Sequence, residues 1–279
     1  MPELPEVEVV RRGLVTHVVG RRITRVDVGR ERTVRRTSRQ AVIDGLTGHT
    51  LTGAGRRGKY LICPLDSGDA VMIHLRMSGQ LRLAPAGSAR PAHTHVAMSL
   101  SGGEELRFVD PRTFGEVVVF DPARADLEVP ELARLGPDPL EDGLTAAGLQ
   151  AVMAGRARPV KALLLDQHAV AGLGNIYSDE VLHAARLRFD HPAGSLRPRQ
   201  VADLHHAIVE ILNAAIEAGG STLADAQYVG LSGQPGRYQH QHQVYGREGA
   251  PCPRCGPRSS VTRARYGGRS TFFCPRCQR

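Results

Sequence analysis

The chain has 279 residues, 41% of them hydrophobic, and a formal net charge of +8. That length suits about two domains, and the apolar content excludes a wholly disordered chain. No apolar run approaches the roughly 20 residues of a membrane span, and the N-terminus lacks an apolar signal core, so a cytosolic protein without a membrane partner is expected.

The first residues read "MPELPEVEVV". Met1 is expected to be trimmed, because Pro2 is small, which exposes a secondary amine beside the Glu3 carboxylate. Read alone, Pro2 and Pro5 open a helix, since proline suits a first turn, and Glu3, Glu6 and Glu8 favour its positive end. Residues 5–14 carry Val7, Val10 and Leu14 on one helical face. Strand-like runs follow at 23–28, 59–65, 70–75, 95–100, 105–110 and 116–120, separated by Gly-, Asp- and Ser-containing turns. They imply an antiparallel sandwich or barrel. From 144 the pattern turns helical: 144–153, 159–167, 174–187 and a long amphipathic stretch at 198–220 closed by a Gly pair. Residues 221–251, rich in Gly, Gln and His, read as a long mobile loop, and such loops are often functional.

Charge is unevenly placed. Residues 11–39 hold ten arginines against two acids, and residues 252–279 hold seven arginines and no acid. Basic stretches of this kind fit nucleic-acid binding. Lys59 and Lys161 are the only lysines. The last 28 residues contain "CPRC" twice, Cys252 and Cys255 then Cys274 and Cys277. Two such knuckles match a four-thiolate zinc site, which leaves no open coordination position and is therefore structural. Four unrelated thiols is the alternative. Between the knuckles a hairpin carries Arg263, Arg265 and Arg269, suited to phosphate contact or merely a solvated basic surface. Cys63, in an apolar strand, reads as a core residue.

Six segments occur in one order: "PELPE", "RRGKYL" at 56–61, "HLRMSGQL" at 74–81, "DPRTFG" at 110–115, "GLGNIYSDE" at 172–180 and "GRSTFFCPRCQ" near the end. Together, from Pro2 to Gln278, they resemble the bacterial formamidopyrimidine-DNA glycosylases, within the group that includes endonuclease VIII. The resemblance implies an α+β chain in two domains: an N-terminal antiparallel β-sandwich, and a C-terminal helical domain with a helix–two-turns–helix motif and a four-cysteine zinc finger. The expected divisions are 1–125, 126–244 and 245–279. One structural zinc is implied, with no catalytic metal or organic cofactor. The implied partner is double-stranded DNA containing oxidised bases or abasic sites, bound by a monomer in the bacterial cytoplasm at the nucleoid. The implied activity is excision of oxidised purines such as 8-oxoguanine and formamidopyrimidines, then cleavage of the abasic site by β,δ-elimination.

An α-amine has a pKa near 8, against about 10.4 for lysine, so more of it is free base at neutral pH. The resemblance makes the Pro2 amine the nucleophile that forms a Schiff base with the sugar, and Glu3 the acid that opens the sugar ring, given a suitably raised pKa. Lys59 matches the lysine assigned to β-elimination, though a surface lysine ending a strand is its simpler reading. Arg269 matches the arginine that holds the phosphates at the lesion. Flipping the nucleotide leaves a gap, and Met77, Arg112 and Phe114 match the family's void-filling side chains, although by spacing alone Met77 and Phe114 also fit a core. Asn175 matches a phosphate-binding asparagine and is otherwise a helix N-cap. His93 and Arg156 align with further DNA contacts.

The chain departs from the family pattern in places. Arg76 stands where glycine is common, Thr113 where a second arginine is common, and the loop reads "QPGRY" where an aromatic often follows the glycine. Leu4 favours the formamidopyrimidine branch. The competing functions are an endonuclease VIII-like glycosylase for oxidised pyrimidines and a damage-binding zinc protein that does not cut. Binding alone needs none of Pro2, Glu3 and Lys59, which argues against the latter.

Overall fold

The computed structural model describes residues 2–141, 143–223 and 227–279. Met1, and with it the question of its removal, lies outside the described residues, as do residues 224–226 of the 221–251 loop. The chain forms two compact units: Met1–Arg134 with Ala218–Gln239, and Leu135–Glu217 with His240–Arg279.

The first unit opens with α1 (Leu4–His17), β1 (Ile23–Val28), a 3-10 turn at Glu31–Val34 and α2 (Arg39–Leu46). Then come β2 (Gly55–Arg57), β3 (Tyr60–Pro64), β4 (Ala70–His74), β5 (Gln80–Pro85), β6 (Thr94–Leu100), β7 (Glu104–Val109) and β8 (Glu116–Phe120), followed by short helices α3 (Ala125–Glu128) and α4 (Pro130–Ala133). The strands make two four-stranded antiparallel sheets, ordered β1-β6-β7-β5 and β2-β3-β4-β8. Alternating apolar residues explain the pairing. Ile23, Val96 and Phe108 from one sheet share a core with Leu61, Ile73 and Val117 from the other and with Val7, Val10 and Leu14 of α1. Each such side chain contributes about 1.5–3 kcal/mol by leaving water. Cys63 lies in this core, and burial pushes its thiol up to about 12, so it stays an unreactive thiol.

The loop that the sequence leaves shapeless is tied down where it is described. Tyr228 and Leu231 join the sandwich core. Leu83 N of edge strand β5 donates to Leu231 O at 2.8 Å, and Gly230 N to Gln234 O at 2.8 Å. Weak periodicity hid this, because two buried residues suffice to hold such a segment.

The second unit contains α5 (Ala146–Met153), α6 (Val160–Leu164), α7 (Asn175–Ala184) and α8 (Pro198–Glu217), then hairpins β9 (Pro251–Cys252) with β10 (Gly256–Ser260) and β11 (Thr262–Tyr266) with β12 (Arg269–Phe273). α8 buries Val201, Leu204, Ile208, Leu212 and Ile216 at helical spacing. No described helix is long and apolar enough to cross a membrane.

Candidate active site and zinc finger

Pro2 and Glu3 are both buried at the start of α1. Glu3 is the N-cap, in extended conformation, and its N–H donates to Glu6 Oε2 at 2.8 Å. The other oxygen of Glu6 accepts Ser221 N at 2.8 Å, so one carboxylate holds both the chain start and the root of the 221–239 segment. Lys59 lies in the β2–β3 turn and is 6% exposed, which sets aside its reading as a surface lysine. The turn is fixed to α1 through Arg56, whose Nη1 donates to Gly58 O at 3.0 Å and whose Nε reaches Glu8 Oε2 at 3.2 Å. Arg11 adds a bond from Nη1 to Ala54 O. Burial pushes the Glu8 carboxyl up, but the hydrogen bonds and charges of Arg11, Arg12 and Arg56 outweigh it and hold Glu8 down at about 2. Glu8 is thus an anion that orients guanidinium groups. Next to Lys59, Tyr60 stands across β3–β4 from His74, their rings edge to face at 4.3 Å. Burial first, then the charges of Arg76 and Lys59, pushes His74 well below the usual histidine value, so the ring is neutral.

Met77 and Phe114 are exposed at 41% and 44%, which removes the core reading for both. Arg112 is exposed beside them, with Nη1 at 3.7 Å from Met77 Sδ. Their loops are stapled by Asp110, which is 0% exposed. Asp110 Oδ1 accepts Ser78 Oγ at 2.5 Å and Arg112 N at 3.2 Å, while Oδ2 accepts Gly115 N at 2.7 Å. Only glycine fits at 115: a Cβ there would lie 2.4 Å from Phe108 Cζ. Asp110 N also donates to His93 O at 3.0 Å, which places exposed His93, with φ +64°, at the rim of the same construction. Arg76 and Thr113, two of the departures noted above, both have positive φ, +53° and +54°.

In the second unit Gly174, not Asn175, is the N-cap of α7. Asn175 Nδ2 donates to Ser270 O at 2.9 Å, and its Oδ1 is buried with no protein partner in hydrogen-bond range. Lys161, fully buried, pairs with Asp179 Oδ1 at 2.6 Å and donates to Thr271 Oγ1 at 2.8 Å, while Phe272 N donates to Asp179 Oδ2 at 2.9 Å. These bonds fasten β12 to α6 and α7 and fix the base from which Arg269 projects. Arg269 is exposed beside the Gly267–Gly268 turn, whose two positive φ angles favour glycine. Arg156 is exposed on the loop after α5.

The four cysteine sulfurs lie within 4.8 Å of one another. Sγ–Sγ separations of 3.8 Å join Cys252 to Cys277 and Cys255 to Cys274. Disulfides need about 2.05 Å, whereas sulfurs about 2.3 Å from a tetrahedral zinc stand about 3.8 Å apart. The donor set therefore fits one structural zinc, held by all four thiolates.

Residues 1–117 match the Formamidopyrimidine-DNA glycosylase N-terminal domain, residues 135–227 the Formamidopyrimidine-DNA glycosylase H2TH domain, and residues 249–279 the zinc finger found in FPG and IleRS. The chain belongs to the formamidopyrimidine-DNA glycosylase family. A formamidopyrimidine-DNA glycosylase of Afipia carboxidovorans is 45% identical over the whole of both chains. The structure of the MutM (Fpg) protein from Thermus thermophilus superposes with a TM-score of 0.89 at 42% identity, covering 99% of this chain and 98% of that one. A Lactococcus lactis Fpg mutant, solved with Fapy-dG-containing DNA, gives 0.91 at 35% identity over all of both chains. Within this glycosylase, the positioning roles of Asp110, Ser78, Glu8 and Arg56 were not legible from sequence, where Glu8 reads only as a charge favouring the helix start. Asp110 alone carried a signal, since an Asp-Pro pair starts turns in which the Asp side chain accepts backbone N–H groups.

Proposed function

We propose that this chain excises oxidised purines from duplex DNA and then cuts the abasic site, with Pro2 as nucleophile once Met1 is gone. The Pro2 nitrogen forms a bond to C1′ of the flipped nucleotide as the bond from C1′ to the base breaks; the base leaves with the electron pair and takes up the proton that the Pro2 nitrogen gives up. Glu3 gives a proton to the ring oxygen, the sugar opens, and the iminium acidifies the C2′ proton. Loss of that proton expels the 3′ phosphate, with Lys59 assisting, and a second elimination expels the 5′ phosphate while Arg269 holds the phosphates. Met77, Arg112 and Phe114 fill the gap, with Arg112 directed to the orphaned base. His93, Arg156 and Asn175 contact the DNA backbone. The division into 1–125, 126–244 and 245–279 is the proposed functional plan, and the bacterial nucleoid the proposed place of action.

The observation that carries the reading is the burial of Pro2 and Glu3 at a helix start tied through Glu8 and Arg56 to the turn bearing Lys59. It is supported by the Lactococcus lactis relative bound to Fapy-dG-containing DNA. Borohydride reduction during reaction with 8-oxoguanine opposite cytosine tests it. A covalent complex with the adduct on Pro2 is expected; an adduct on Lys59, or none, refutes it.

A further inference from the structure

Among the described residues, three arginines from two separate segments converge on a single buried carboxylate. Glu116 opens β8, its side chain 3% exposed, and pairs across the sheet with His74. Its Oε1 pairs with Arg35, and Arg76 Nη2 lies 3.6 Å from the same oxygen. Its Oε2 accepts Arg36 Nη2 at 2.7 Å and Nε at 3.0 Å. Arg36 reaches on to Glu131. Arg32, one turn earlier, donates from Nε to Thr113 O at 3.2 Å, on the loop of Phe114.

Arg76 is the residue directly before Met77, and its backbone is left-handed, a conformation disfavoured by any residue with a Cβ. Two contacts hold it there. Its N–H donates to Nδ1 of neutral His74 at 2.9 Å, and its guanidinium is drawn to Glu116. Without the second, three guanidinium groups would face one another with, among the described residues, only Glu131 to balance them, and the most exposed of them, Arg76, would swing away.

We propose that Glu116 is a positioning residue: by drawing Arg76 to the carboxylate that also binds Arg35 and Arg36, it fixes the backbone from which Met77 enters the duplex. The proposal rests on the reading of Met77 as a void-filling side chain. It makes the arginine-rich 31–36 stretch a brace for the insertion loops.

The test uses the full-length protein and a duplex with a tetrahydrofuran abasic analogue beside 2-aminopurine, whose fluorescence reports unstacking. Glu116→Gln and Arg76→Gln are each expected to slow insertion about fivefold, the size of coupling between neighbouring charged groups, and the double variant to be no slower than either single one. Insertion is compared at equal distance below each variant's unfolding midpoint, so that loss of stability alone does not produce the effect. Should Glu116→Gln fail to fold, Arg76→Gln still decides, since glutamine keeps the Cβ and the aliphatic stem and removes the guanidinium charge. Wild-type insertion in the folded variants, or slowing that multiplies in the double variant, overturns the proposal. An unchanged signal in Met77→Ala refutes the void-filling reading itself, a distinct outcome.

Discussion

Asp110→Asn puts the stapled loops under direct test. The carboxylate accepts three hydrogen bonds, Ser78 Oγ and Arg112 N on one oxygen and Gly115 N on the other, and has no exposure to solvent. An amide preserves the shape but must present its NH₂ group to one of these sets of donors. Either one or two bonds are lost, and a donor is left facing a donor. Hydrogen bonds to a charged acceptor are worth about 1.5–3 kcal/mol each, so a destabilisation of about 2–4 kcal/mol is expected, a large share of the roughly 5–15 kcal/mol that holds a domain together. Urea unfolding measures it as a fall in midpoint at unchanged slope. A functional effect should accompany it, because in either orientation the loop of Arg112 and Phe114 loses a tie to Asp110, at Arg112 N or at Gly115 N. Single-turnover excision of 8-oxoguanine opposite cytosine and opposite adenine, at a temperature where the variant stays folded, should show preference for cytosine reduced about tenfold, the worth of one base-directed contact. A lowered midpoint with intact preference would mean that the loops take their shape from elsewhere, and an unchanged midpoint would refute the hydrogen-bond argument outright.

Glu3→Gln keeps the shape of the chain start but cannot transfer a proton; it should bind lesion DNA normally and release the base at least about a hundredfold more slowly in single-turnover assays. Glu8 is held at about 2 against an ordinary 4.5, so its stabilising effect is present above the ordinary value and is lost as pH falls through 2; wild type should therefore lose up to about 3 kcal/mol more than Glu8→Gln in urea titrations between pH 5 and 2. One zinc per chain should be found by metal analysis, and Cys252→Ser or chelation should loosen β11–β12 and weaken DNA binding while the sandwich unit keeps its resistance to proteolysis. Arg269→Ala should reduce the salt slope of DNA binding by about one unit, whereas Arg36→Ala, removing a partner of both Glu116 and Glu131, should lower the unfolding midpoint and leave the slope unchanged.

What the sequence made legible follows from how strictly each chemistry constrains spacing. Four thiolates around one ion require two tight knuckles, so Cys252, Cys255, Cys274 and Cys277 could be read as a set. Short runs rich in β-branched residues and bounded by turn residues, such as 23–28 and 116–120, are legible at the residues where the strands occur. β5 was missed: only Leu81 is fully buried in Gln80–Pro85, and the strand lies at a sheet edge, where one-sided packing leaves a weak pattern. α2 was missed because its cap, Ser38, which accepts Ala41 N, is preceded by a run of arginines that reads as a surface segment. Asp110 sits in a recognisable motif, but its role is not legible there, since its partners are backbone groups and a serine 32 residues away.

The arginines show where a count of charge stops being informative. Ten in residues 11–39 suggest a nucleic-acid footprint, yet Arg11 and Arg12 bind Glu8, Arg21 binds Glu104, Arg25 binds Asp27, and Arg35 and Arg36 bind Glu116. Arg11, Arg12 and Arg25 pair with acids two to four residues away, but Arg21, Arg35 and Arg36 pair with acids at 104, 116 and 131, which no local window of sequence reveals. An arginine whose guanidinium already has a carboxylate gains less from a phosphate, because the first ion pair must be broken to make the second. Residues 252–279 contain no acid, and their arginines reach outside the segment for one: Arg263 approaches Glu248 only at 3.7 Å, on the surface, where such a pair is weak. The arginines of the β11–β12 hairpin thus keep more of their positive field for a phosphate, whereas Arg11, Arg35 and Arg36 are held by Glu8 and Glu116 within the first unit and brace it from inside.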